Sequence, residues 1–188
     1  MRLDTRLGAL LLTLHLAAMS LALAPALFFG AVVAPTVFRV LPTRDLAGAL
    51  QSPILSKLCL VAEASFAVLF ATSWLLTARD APRMTRALLT RLPVLGFFAA
   101  IVVRQLLIPP MDRIREEAPG LIDSLPAADP ARVLLDRYHR LSTGFFSLEV
   151  ASALLVLIVT ARFLAAGRPT PPPQAAAAAA PKILDLGP

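Results

Sequence analysis

The sequence predicts an all-α integral membrane protein: a four-helix bundle with a short helical and loop connection between spans three and four. Three observations carry this. Of the 188 residues, 57% are hydrophobic and only 16% charged, and the mean hydropathy is +0.74. A soluble domain needs more surface charge than that, so the composition excludes most soluble enzymes and nucleic-acid-binding modules. The apolar residues gather in four long runs, and a bilayer core needs only about 20 helical residues. Charged residues concentrate between those runs.

The first run lies between Arg6 and Arg39 and predicts a span over about residues 8–38. A cleaved leader competes with it, since Arg2 and Arg6 precede an apolar stretch and Ala22-Leu23-Ala24 resembles a cleavage site. Pro25 directly after that point and the continuing apolar run favour a retained helix. Pro25 and Pro35 are expected to kink or end it.

The second run, between Lys57 and Arg79, holds one charge, Glu63, and predicts a span over about 55–78. The third follows Arg91, carries Arg104 and reaches Pro109-Pro110 and Asp112, for a span over about 87–110. The fourth lies between Arg140 and Arg162 with Glu149 inside, for a span over about 141–164. Residues 1–166 form the membrane domain.

Between the last two spans, Ile114, Leu121, Ile122, Leu125, Val133 and Leu134 suggest short amphipathic helices broken by Pro119, Pro126 and Pro130. Asp129-Pro130 reads as a helix start, with Asp129 as N-cap and the helix running through Tyr138-His139 into the fourth span. Residues 167–188, Pro-rich and then Ala-rich, read as a low-complexity, disordered tail.

The net charge of +6 fits cationic loops meeting anionic headgroups rather than a nucleic-acid partner. The short four-arginine loop Arg79 to Arg91 is denser in cations than 112–140, where six acids dilute the arginines. That places the short loop and both termini in the cytoplasm of a bacterial inner membrane.

Three ionisable residues lie within spans. Measured from Arg79, Arg91 and Arg162, the residues Glu63, Arg104 and Glu149 stand about 24, 20 and 20 Å deep, at one level on three helices. Unpaired charges there cost at least about 2.5–3.5 kcal/mol each. Arg104 can fork onto one carboxylate. Two Glu and one Arg sum to −1, which leaves the second carboxyl protonated part of the time. Two readings follow: a proton-coupled conduit with His139 at its mouth, or structural glue. Arg104 snorkelling to the headgroups is a further alternative.

His15 and His139 lie near opposite ends of their helices, which argues against a shared metal or haem. Cys59 is the single cysteine, so no intrachain disulfide forms, and no cofactor is expected. No phosphate loop, nucleophile elbow or metalloprotease motif occurs, and the chain reads as a non-enzyme. Small residues four apart, Ala26-Gly30-Ala34 and Gly96-Ala100, allow close helix approach in lipid.

Several short motifs carry a resemblance. The stretch Gly30-Ala-Val-Val-Ala-Pro35-Thr-Val-Phe38, with Leu41 and Ala47-Gly48-Ala-Leu50-Gln51-Ser52, resembles the start of the transmembrane protein 205-like domain (domain of unknown function 4149). Pro110-Met111-x-x-Ile114-Arg115 and His139-Arg-Leu-Ser142 resemble its later signatures, so the likeness covers about residues 20–164. The resemblance implies a four-helix membrane protein without an established activity, and marks Gly30, Pro35, Phe38, Gly48, Pro110, Arg115, His139 and Ser142. The chain departs from the pattern after Ser142, where Gly144-Phe145 stand in place of a polar amide.

Two functions are compatible with these features. One is a small-molecule or ion transporter, with a second copy completing the path because four spans are few. The other is a structural or assembly protein that binds another membrane protein. The lipid bilayer is the partner in both. Accessibility of Cys59, expected near the outer end of its span, separates a wet vestibule from a dry bundle.

Overall fold

The computed structural model describes residues 5–77 and 81–166. Four helices fill that range: α1 (Arg6–Val40), α2 (Arg44–Thr77), α3 (Arg83–Glu117) and α4 (Pro130–Ala166). Each is long and apolar enough to cross a membrane, and the chain is a multi-pass membrane protein. Every helix packs on its neighbour in sequence, and α4 closes the ring against α1. The result is an up-and-down four-helix bundle.

Helices of this length rise about 50–55 Å, well beyond a hydrocarbon core of about 30 Å. Their ends therefore project as helix into polar surroundings. That is why α2 starts at Arg44, ahead of the apolar stretch from Leu55, and why α3 continues to Glu117. Residues 112–117 prolong α3 rather than forming a separate short helix.

Of the two expected outcomes, a kink or an end, the prolines do not produce the second: they do not end α1. Pro25 sits inside regular helix, and α1 continues through Pro35 to Val40. For Pro35, and for Pro109 and Pro110 in α3, widened turns accommodate the ring. In Phe29–Val33 the pitch loosens so that the Ala34 N–H donates to the Phe29 carbonyl, five residues back. In Val102–Leu107 the Ile108 N–H donates to the Val103 carbonyl in the same way. A proline ring collides with the carbonyl four residues earlier. For Pro35, Pro109 and Pro110 those carbonyls belong to Ala31, Gln105 and Leu106, all within the widened turns.

The connection before α4 is held by its own side chains. Asp123 Oδ2 accepts the Arg44 N–H at 2.7 Å, and the Asp123 N–H donates to Asp45 Oδ2 at 3.2 Å. A single 3₁₀ turn, Ile122–Ser124, follows from this tie and buries Ile122. Asp129 Oδ1 accepts the Ala131 N–H at 2.9 Å, and α4 begins at Pro130. The cap is the one the Asp-Pro pair predicts.

In the middle of the bundle α2 and α3 interlock. Phe66 is fully buried, and a β-carbon at Gly96 would collide with its ring. Ala62, Ala99, Ala100 and Val103 complete that dry seam. The other small-residue stripe behaves differently: Ala26 is buried, but Gly30 and Ala34 line a cavity.

Candidate functional site

At the end where α1 and α3 finish and α2 and α4 begin, the four helices splay around a cavity of about 680 Å³. Its volume lies in the range of about 300–1,000 Å³ typical of small-molecule sites. The floor is apolar. Phe29 and Phe146 meet edge to face with centroids 5.9 Å apart, beside Leu55, Ile108 and Met111. The rim is charged, with Arg44, Asp45, Asp123, Arg132 and Asp136.

Six of the eight motif positions face this cavity: Gly30, Phe38, Gly48, Arg115, His139 and Ser142. The other two, Pro35 and Pro110, lie two and three residues past the ends of the widened turns. Sequence spacing could not show this convergence, because the six residues come from all four helices.

Arg115 is the most constrained cation at the cavity. A β-carbon at Gly48 would stand 2.5 Å from its Nη2 and 2.9 Å from its Cζ, so the guanidinium rests where the glycine leaves space. Nη1 donates to Asp112 Oδ1 at 3.0 Å, and Ser52 Oγ donates to Asp112 Oδ2 at 2.7 Å. Nε is buried and has no acceptor among the described residues.

His139 stands in the polar first ten residues of α4, ahead of its apolar stretch, and meets Phe38 edge on at 6.5 Å. Burial first, then the Arg115 guanidinium, holds its imidazole below the usual histidine value; Asp136 pulls upward and Arg44 downward. Ser142 donates to the His139 carbonyl at 2.9 Å, which fixes its hydroxyl within its own helix.

Beneath the floor lies the charge layer. Arg104 forks onto Glu63, with Nε to Oε1 at 2.7 Å and Nη2 to Oε2 at 2.6 Å. The guanidinium is thus paired across the bundle and does not snorkel away from the carboxylate. Glu149 is 1% exposed, and its Oε2 has no hydrogen-bond partner among the described residues. Glu63 is the charged neighbour within electrostatic reach of it. Sequence depth brought three residues to one level; the structure joins two of them and leaves the third without a cationic partner.

None of the three lines the cavity that His139 faces. Glu149 is three residues from Phe146 and Arg104 four from Ile108, about 4.5 and 6 Å along their helices. Glu63, Arg104 and Glu149 stand deeper along their helices than the lining residues Leu55, Ile108 and Phe146. Cys59 is likewise fully buried in the core rather than at a vestibule.

The opposite end of the bundle holds a network that the sequence reading missed. His15 is buried, with Nδ1 2.9 Å from Thr72 Oγ1 and Nε2 3.1 Å from Thr160 Oγ1. Thr72 gives its own proton to the Val68 and Leu69 carbonyls at 2.8 and 3.2 Å. A neutral ring donating from Nδ1 and accepting the Thr160 proton at Nε2 satisfies every group. His15 therefore ties α1 to α2 and α4, far from His139. Among the described residues no three His, Cys, Asp or Glu side chains gather as a metal site. Arg2, Arg79, Arg168, Lys182 and the 167–188 tail, for which the sequence raised expectations, lie outside the described residues.

Compared with known proteins, the chain matches the sequence profile described as Domain of unknown function (DUF4149) over residues 8–119. The match spans α1 to α3 and includes six of the motif positions, while His139 and Ser142 lie beyond it. No curated protein and no solved structure matches the chain.

Proposed function

We propose, for a chain that belongs to the family of the domain of unknown function 4149, a role as a non-enzymatic, proton-coupled carrier of a small molecule or ion. The observation that carries this reading is Glu149: a fully buried carboxyl with an unpartnered oxygen, directly below a cavity lined by the motif residues. Glu63 and Arg104 neutralise one another, so the layer has one carboxyl left over. A carboxyl with no cationic partner is costly to hold ionised in the bilayer, and binding a proton removes that cost. Substrate enters at the pocket, and proton exchange at Glu149 couples to its movement. The floor between them opens in the transport cycle, and a second copy of the chain completes the path. The resemblance to transmembrane protein 205-like proteins and the cytoplasmic placement of both termini in a bacterial inner membrane belong to this reading. Nucleic acid has no part in it.

Infrared difference spectroscopy on the reconstituted protein tests it. The carrier reading expects a protonated-carboxyl band that titrates with bulk pH and is missing from Glu149→Gln. A band that ignores bulk pH, or no band at all, contradicts it.

A structural or assembly role without transport draws on one specific feature, the dry seam where Phe66 fills the space that Gly96 leaves. In that reading the Glu63–Arg104 pair is glue, and an exposed helix face binds another membrane protein.

A further inference from the structure

We infer that the occupant of the pocket is an amphiphile with a hydrocarbon tail and an anionic head. This rests on reading the cavity as a ligand site and adds the chemistry of the ligand. The cavity wall changes polarity in one direction on three helices. Along α2 it passes from Arg44 to Leu55, along α3 from Arg115 to Ile108, and along α4 from Arg132 to Phe146. Those separations correspond to about 16, 10 and 21 Å of helix rise. The charged ends lie together at the rim and the apolar ends at the floor, so the gradient runs along the bundle axis. A membrane-resident amphiphile is polarised in the same way, with its head at the interface and its chain toward the core.

The head is anionic because of how the rim charges are spent. Three carboxylates and three guanidiniums line the cavity, but they are not paired with each other. Asp45 and Asp123 accept backbone N–H groups, from Asp123 and Arg44 respectively. Asp136 makes no ion pair among the described residues. Arg132 donates from Nη1 to the Leu125 carbonyl, a neutral acceptor, at 2.8 Å. Arg44 makes no ion pair among the described residues. Arg115 is held by Asp112 through Nη1, and its unpartnered Nε is buried away from the cavity. The wall thus offers two guanidiniums without a carboxylate partner, Arg44 and Arg132, to carboxylate or phosphate oxygens, with Arg115 beside them.

The full chain in mild detergent is titrated with cis-parinaric acid, which fluoresces in apolar sites, and with its methyl ester. The acid binds at least tenfold more tightly than the ester. Arg115→Gln and Arg132→Gln each weaken the acid several-fold and leave the ester unchanged, with the unfolding temperature as the control for folding. Arg132 bonds only a neutral carbonyl, so its variant remains informative if Arg115→Gln disturbs the Asp112 pair. Displacement of the bound probe by oleate identifies a free carboxylate as the natural head, and stronger displacement by 1-oleoyl-lysophosphatidate identifies a lipid phosphate. Equal binding of acid and ester, no binding of either, or indifference to both arginine changes overturns the inference. A Glu149 band that titrates alongside such a failure leaves the carrier reading standing with another ligand.

Discussion

Gly48 and Arg115 touch backbone to guanidinium: a β-carbon on Gly48 would come within 2.5 Å of Arg115 Nη2. Two residues 67 positions apart in sequence thus form one structural unit at the pocket wall. What the glycine provides here is space, not an unusual backbone angle, since no glycine among the described residues has a positive φ.

This contact gives the first prediction. In Gly48→Ala the clash falls on the end of a flexible side chain, so Arg115 swings aside and the unfolding temperature changes little. In Gly96→Ala the clash falls on the buried Phe66 ring, and overpacking costs about 1–3 kcal/mol. Thermal unfolding of both variants in detergent checks this. Equal losses would show that Arg115 is as rigidly held as Phe66.

His139 gives a pH dependence whose sign follows from its environment. Its pKa in the fold is below the ordinary 6.5. The folded state therefore binds fewer protons than the unfolded state in the interval between those values. Stability from the neutral ring is complete above about pH 6.5 and is lost as pH falls through that interval. Arg115→Gln removes a lowering influence and raises the His139 pKa, whereas Asp136→Asn lowers it further. An NMR titration of the His139 ring protons reads both directions, and opposite shifts would refute this electrostatic assignment.

The His15 bridge predicts a loss that depends on the hydroxyl partners. Interhelical hydrogen bonds within membranes contribute about 0.6 kcal/mol on average, up to about 1.7. Thr160→Val should cost about that much, and His15→Leu more, because it removes the links to both α2 and α4. In a double-mutant cycle the Thr160→Val cost should vanish in the His15→Leu background. Full additivity would mean that the two side chains do not interact.

Asp129→Ala should remove about 1 kcal/mol through loss of the N-cap. The effect is local, so hydrogen exchange at Ala131–Val133 should speed up while the rest of α4 keeps its protection. Unchanged exchange there would show that the connection, not the cap, sets the start of the helix.

What could be read from the sequence follows from the range of each interaction. The four spans show in hydropathy because lipid imposes a local rule on every residue of a span. Asp129-Pro130 is legible because a cap involves residues only two apart. Depth along a helix can also be counted, so Glu63, Arg104 and Glu149 fall on one level, but depth says nothing about direction around a helix. The pairing of Arg104 with Glu63, and the solitary Glu149, needed coordinates. His15 was hidden for the same reason: its partners are 57 and 145 residues away and follow no period. The helix extensions before Leu55 and past Pro110 escape hydropathy because they are helical without being apolar.

The central claim is a division of labour in the charge layer, with Glu63 and Arg104 holding the bundle and Glu149 kept for proton exchange. The most direct test compares the thermal stability of Glu63→Gln, Arg104→Gln and Glu149→Gln in mild detergent. Removing one partner leaves the other charge unpaired within the span, which costs about 2.5–3.5 kcal/mol. Glu63→Gln and Arg104→Gln should therefore lose many degrees or fail to fold, while Glu149→Gln is neutral or stabilising. A loss in Glu149→Gln as large as in the other two would contradict the account and make all three residues structural glue.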